Sequence, residues 1–152
     1  MKQPRIRYLD DAPAQKDDWY VLEESVIFRW KEIGYASIPA GYVSDGCSVP
    51  RILWGFFPPK DAYFVPGLVH DYLYETKQVE LHEALAPNFL SKSSITYPIT
   101  RRDADRMFLS LLNHFAPHTP RRNYVRYLAV RWFGGIWWRN SKYIDITNYK
   151  EA

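Results

Sequence analysis

The stretch Val69-His70-Asp71-Tyr72-Leu73-Tyr74 carries an ionisable pair inside an apolar run. Leu68, Val69, Tyr72 and Leu73 recur at helical spacing, which predicts a helix from about Pro66 to about Lys77. Pro66 suits the first turn of such a helix, where its missing N–H removes no hydrogen bond. Neighbouring helical residues point about 100° apart, so His70 and Asp71 can edge one cavity. His70 and Tyr74 stand one turn apart and share a face. Asp71 and Tyr74, three apart, can also meet.

A His-Asp pair in apolar surroundings is unfavourable unless its polar atoms are satisfied. The pair is therefore either a site or a brace for the core. The next helix supplies a partner. Thr100 followed by Asp103 forms a capping box, and Ala104, Met107, Phe108, Leu111, Leu112 and Phe115 form an apolar stripe that stops near Pro117. Asp105 borders that stripe and needs a donor. A histidine on a packed antiparallel helix would serve, and so would an ion pair with Arg101 or Arg106.

Upstream, Trp19–Leu22, Ser25–Trp30, Tyr35–Ile38 and Gly41–Val43 are rich in β-branched and aromatic residues and predict a small antiparallel sheet. Residues 1–18 read as an irregular lead-in. Residues 44–50 read as a loop, and the apolar run from Ile52 to Phe57 as a short buried helix or an exposed lip. Residues 80–98, with two prolines and three serines, read as a loop. Thr119-Pro120 predicts a third helix, with Thr119 as cap, an apolar stripe of Tyr124, Leu128 and Trp132, and an end at Gly134-Gly135. The expected fold is α+β in a single domain over 1–152: a sheet over 19–43, a loop and three or more helices over 44–134, and a tail over 135–152.

Length and composition agree with that expectation. The chain has 152 residues, 47% hydrophobic and 17% aromatic, enough to bury one core. Its one cysteine, Cys47, excludes an intramolecular disulfide and a cysteine-only zinc site. No segment reaches the about 18 apolar residues of a membrane span, and no apolar run follows Met1–Arg5 to suggest a signal peptide. Charge is uneven: residues 1–50 hold six Lys/Arg against eight Asp/Glu, residues 101–142 nine against two. The basic excess suits phosphates of lipid or nucleic acid, or a solvated helix face.

Residues 19–134 resemble a family of uncharacterised phage, prophage and bacterial proteins. The shared elements are Pro39-Ala40-Gly41-Tyr42-Val43-Ser44-Asp45-Gly46-Cys47-Ser48-Val49-Pro50-Arg51, then His70-Asp71-Tyr72-Leu73-Tyr74, then Ala104-Asp105-Arg106-Met107-Phe108. That resemblance implies a chain made in the host cytoplasm, or carried on the virion, with other phage proteins as partners. The His-Asp-x-x-Tyr element and the Asp of the following helix are also similar to the calcium-dependent phospholipase A2 superfamily. By that resemblance His70 is the general base, Asp105 and Tyr74 orient it, and Asp71 binds calcium with loop carbonyls around Asp45 and Gly46. The phospholipase calcium loop is glycine-rich, whereas Ser44 to Ser48 contains Gly46 alone.

Ester hydrolysis needs a base near water and stabilisation of an oxyanion. Trp132, Trp137-Trp138-Arg139 and Lys142-Tyr143 combine rings with basic charge, as segments at a phospholipid surface do; the same rings could equally be core. Other chemistries fit less well. No histidine precedes His70 for a metal phosphohydrolase, and Pro117 separates His114 from His118. Ser48 lacks a nucleophile elbow, Cys47 lacks activating neighbours, and no nucleic-acid motif accompanies the basic helices. The reading from a different class is a non-catalytic phage structural or accessory protein, with His70, Asp71 and Asp105 as a buried polar brace.

Overall fold

Val26, Phe28 and Trp30 are buried while Arg29 between them is exposed, the period of two that makes a half-buried strand. In the computed structural model this strand, β3 (Val26–Trp30), pairs antiparallel with β4 (Gly34–Ile38), from Val26↔Ile38 to Trp30↔Gly34. Lys31 takes the left-handed conformation at the turn, with φ 50°. The structure describes residues 4–8, 20–31, 33–44, 63–86 and 89–140, without the side chains of 83–93 and 140. Asp45, Gly46, Cys47, Ser48, the run from Ile52 to Phe57, and Lys142-Tyr143 lie outside the described residues.

The remaining strands correct the expected order. β1 (Ile6–Tyr8), inside the expected lead-in, pairs with β2 (Tyr20–Leu22), which pairs with β5 (Val43–Ser44) in a three-stranded antiparallel sheet. Helix α1 (Phe64–Thr76) follows. Residues 80–98, expected as a loop, belong instead to two long strands, β6 (Gln78–Ala86) and β7 (Phe89–Pro98). They extend the second sheet to the order β3-β4-β6-β7. The fold is α+β, but the strands are interleaved with α1 rather than gathered before a bundle. The hairpin is hard to read because the described side chains of β7, an edge strand, from Ser94 to Pro98, are all exposed and show no alternation of buried and exposed positions. β6 does show one, with Val79 and Leu81 buried on either side of exposed Glu80.

α1 ends where Lys77 turns left-handed, with φ 55°, its N–H donating to the Leu73 carbonyl at 3.0 Å. α2 (Arg101–Phe115) opens on the expected capping box: Asp103 N–H donates to Thr100 Oγ1 at 3.2 Å, and Thr100 N–H donates to Asp103 Oδ2 at 3.0 Å. α3 (Pro120–Phe133) has proline in its first turn, but Thr119 makes no side-chain cap bond. α4 (Gly135–Asn140) occupies the start of the expected tail. Val65, Leu68, Val69 and Leu73 of α1 meet Ala104, Met107 and Leu111 of α2 and Phe28, Trp30 and Ile38 of the sheet in one core. Each such large side chain, fully buried, contributes about 1.5–3 kcal/mol.

α3 corrects a further expectation. Its stripe of Tyr124, Leu128 and Trp132 does not face the core; Trp132 is 75% exposed. The buried residues are Asn123, at 0%, and Arg126, at 4%. Asn123 Nδ2 donates to the carbonyls of Leu112 (3.2 Å) and Ala116 (2.9 Å) and to Asn113 Oδ1 (3.0 Å). The Leu112 carbonyl also accepts from the Ala116 N–H at 2.8 Å, whereas the Ala116 carbonyl lies past the last turn of α2 and has no helical partner. Arg126 donates to Asn123 Oδ1 at 3.1 Å and lies 4.0 Å over the Tyr63 ring.

Candidate functional site

The packing of α1 against α2 sets His70 and Tyr74 opposite Asp105, which has no exposed surface. His70 Nε2 lies 2.9 Å from Asp105 Oδ1, and the Tyr74 hydroxyl donates to the same oxygen at 2.6 Å. Arg131, on α3, donates from Nη1 to the other oxygen, Oδ2, at 2.6 Å. One carboxylate thus joins three helices. Charge-assisted hydrogen bonds of this kind are roughly twice as strong as neutral ones.

Burial alone would raise the Asp105 pKa, but the bonds from His70, Tyr74 and Arg131 outweigh it and hold the carboxyl below its ordinary value. Asp105 is therefore an anion, and an anion accepts. Nε2 must carry the proton in that bond. The lone pair of the neutral imidazole then resides on Nδ1, and no described residue bonds that atom. The ring is tilted against Tyr74 (centroids 4.0 Å apart) and Phe108 (5.0 Å), and about 10% of the side chain stays accessible. Burial pushes the Tyr74 phenol up, and its bond to Asp105 adds to the rise, so it remains a donor.

Two features hold Tyr74. The Trp138 ring of α4 meets it edge-on at 5.1 Å. Gly134, between α3 and α4, comes so close that a Cβ there would sit 2.5 Å from the Tyr74 hydroxyl. Glycine is required here by space rather than by backbone angle.

Arg131 is the member that sequence reasoning missed. Of the expected ionic alternatives, neither bonds Asp105: Arg101 stands against the Tyr74 phenol and donates to the Arg131 carbonyl at 2.9 Å, and Arg106 lines a groove with Arg29 and Lys31. A buried carboxylate bonded on one oxygen signals a need for a second donor, but nothing in residue spacing says that α3 provides it.

Asp71 points away from this cluster, and Tyr74 goes to Asp105 instead. Asp71 is half-buried, and Ser44 Oγ, at the end of β5, donates to its Oδ2 at 3.4 Å. Glu75 lies one turn further along α1. Burial, then the charges of Asp71 and Glu75, push the Tyr42 phenol well above its ordinary value, which marks this side of α1 as acidic. Calcium takes six to eight oxygens. Among the described residues there is no group of three or more His, Cys, Asp or Glu placed to hold a metal ion. The other two expected contributors, Asp45 and Gly46, lie outside the described residues.

The chain belongs to the family described as "Protein of unknown function (DUF1353)", whose model matches residues 19–130. The matched span includes His70, Asp71, Tyr74 and Asp105 and ends one residue before Arg131. No curated protein and no solved structure matches the chain.

Proposed function

We propose that the protein is a phage-type hydrolase resembling phospholipase A2, in which His70 activates water to attack a lipid ester. The observation that supports this reading is the bond between His70 Nε2 and a buried, anionic Asp105. On this reading Nε2 carries the proton toward Asp105 and Nδ1 acts as the base. As water adds to the ester carbonyl, Nδ1 takes its proton; Asp105 stabilises the imidazolium that results. When the tetrahedral intermediate collapses, Nδ1 returns the proton to the departing alkoxide. The products are a fatty acid and an alcohol, and His70 is regenerated neutral. Tyr74 and Arg131 act as positioning residues that fix Asp105. Calcium belongs to this proposal through Asp71 with loop oxygens around Asp45 and Gly46, and no step above depends on it.

Release of fatty acid from phospholipid vesicles, measured with and without millimolar calcium, tests the reading. The His70→Gln protein, which keeps a polar ring-sized side chain, is expected to lose roughly 100-fold or more of the activity while its melting temperature changes little. An unmodified protein that releases no fatty acid under either condition sinks the proposal.

One observation favours the second reading, a non-catalytic phage structural or accessory protein. Asp105 has no exposed surface and is bonded on both oxygens, as a brace for three helices would be. On that reading His70→Gln lowers stability and there is no hydrolysis to lose.

A further inference from the structure

α3 turns several of its large apolar side chains outward, while Val130 packs against the core. Its inner face holds Asn123 and Arg126, both engaged in hydrogen bonds. Tyr124, Val125, Trp132 and Phe133 of α3, with Ile136 and Trp137 of α4, are exposed on the outer side. Large apolar side chains exposed along consecutive helices of a folded domain point to a contact surface.

Charge identifies what the strip meets. From Arg106 to Ile144 the chain has seven Lys/Arg and no Asp or Glu. Two of the seven, Arg126 and Arg131, are committed to internal bonds. Arg121 and Arg122 at the start of α3, and Arg139 near the end of α4, are exposed. Cations therefore flank the strip at both ends. A second copy of the chain would bring like charges face to face. Phosphates of a nucleic acid would use the arginines but leave Val125 and Ile136 without a role. An anionic lipid surface uses both: head groups meet the arginines, tryptophan and tyrosine sit at the boundary, and aliphatic side chains enter the acyl layer. No helix among the described residues is long and apolar enough to cross a membrane, so the contact is in-plane.

We propose that the outer face of α3 and α4 docks on membranes rich in anionic phospholipid. The proposal deepens the hydrolase reading, on which its catalytic purpose rests. Arg131, which anchors Asp105, adjoins Trp132 in sequence, so one helix links the docking face to the His70 pair.

Co-sedimentation with vesicles tests it without turnover, using the His70→Gln protein. Binding is expected to equal mixtures of phosphatidylcholine and phosphatidylglycerol, weakened by salt, with far less to phosphatidylcholine alone. Trp132→Ala/Ile136→Ala is expected to lower the partition about tenfold or more. Arg121→Gln/Arg122→Gln is expected to lower it by roughly tenfold on the anionic vesicles only. All of these positions are exposed, and circular dichroism verifies that the variants are folded. No binding to the anionic vesicles, or binding indifferent to both double substitutions, overturns the proposal. So does a dimer in sedimentation velocity that Trp132→Ala/Ile136→Ala dissociates, or an oligonucleotide complex that the arginine changes abolish alongside vesicles left unbound. Docking without hydrolysis by the unmodified protein removes the hydrolase reading alone; hydrolysis without docking removes this one alone.

Discussion

Helices α2 and α3 are nearly equal in length, at 15 and 14 residues, and they use their faces in opposite senses. α2 buries Ala104, Met107, Phe108, Leu111 and Leu112 and admits one charge, Asp105. α3 buries an asparagine and an arginine and turns tyrosine, valine, tryptophan and phenylalanine outward. The difference shows what the hydrophobic pattern alone leaves open. A helix packs by the face that leaves the fewest buried groups unsatisfied. On α3 the polar face does this, because Asn123 bonds carbonyls at the end of α2 and Arg131 bonds the second oxygen of Asp105.

The sharpest way to break the arrangement is to remove the charge that both helices serve. Asp105→Ala leaves the Arg131 guanidinium, the Tyr74 hydroxyl and the His70 N–H without their acceptor. Such truncations of a buried pair cost about 3–5 kcal/mol, so the melting temperature is expected to fall by roughly 10 °C or more. Thermal unfolding followed by circular dichroism reads this directly, and a change of under about 1 kcal/mol would show that the three donors find water as readily as they find Asp105.

A matched pair of substitutions sharpens the contrast between the two helices. Leu112→Ala on α2 removes a fully buried side chain and is expected to cost about 2–5 kcal/mol. Trp132→Ala on α3 removes a larger side chain that is 75% exposed, and the expected change is within about 0.5 kcal/mol. Urea unfolding of the two variants beside the unmodified protein compares them. Equal losses would mean that α3 packs its aromatic side inward in solution.

The smallest effect concerns the capping aspartate of α2. Burial pushes the Asp103 pKa up, but bonds from Lys31 and Thr100 outweigh it and bring the pKa from 3.8 down to about 2. Its ionised form therefore stabilises the fold above about pH 4, and the contribution disappears as pH falls through the window from 3.8 to about 2. The Lys31 partner is half exposed, at 2.8 Å, so solvent screening keeps the gain below about 1 kcal/mol. Asp103→Asn is expected to differ from the unmodified protein at pH 6 and to match it near pH 2; Asp105 titrates in both proteins and cancels. A difference independent of pH would assign the loss to the cap bond rather than the charge.

Legibility in the sequence followed the strength of local signals. The Thr100–Asp103 capping box and the stripe from Ala104 to Leu112 located α2, because cap and periodicity are properties of neighbouring residues. His70 and Tyr74, one turn apart, and Asp105 beside its stripe suggested a meeting across α1 and α2, and the structure sets them 2.9 and 2.6 Å apart. The β6–β7 hairpin escapes a local reading because serines and prolines favour loops, whereas the strand pairing with β4 comes from residues more than forty positions upstream, Tyr35 and Ala36.

By itself, then, the sequence determined the positions of α1, α2 and α3, the capping box of α2 and the face that His70 and Tyr74 share, since these depend on interactions a few residues long. Only the tertiary structure decided that Arg131 completes Asp105, that Gly134 admits the Tyr74 hydroxyl, and that α3 turns its rings outward. Those outcomes depend on which buried acceptors stand within reach once α1, α2 and α3 have packed. The free energy of leaving one of them unsatisfied, about 1–3 kcal/mol, is comparable with that of burying an exposed ring's worth of apolar surface. Local patterning cannot rank two terms so close in size; the packed geometry does.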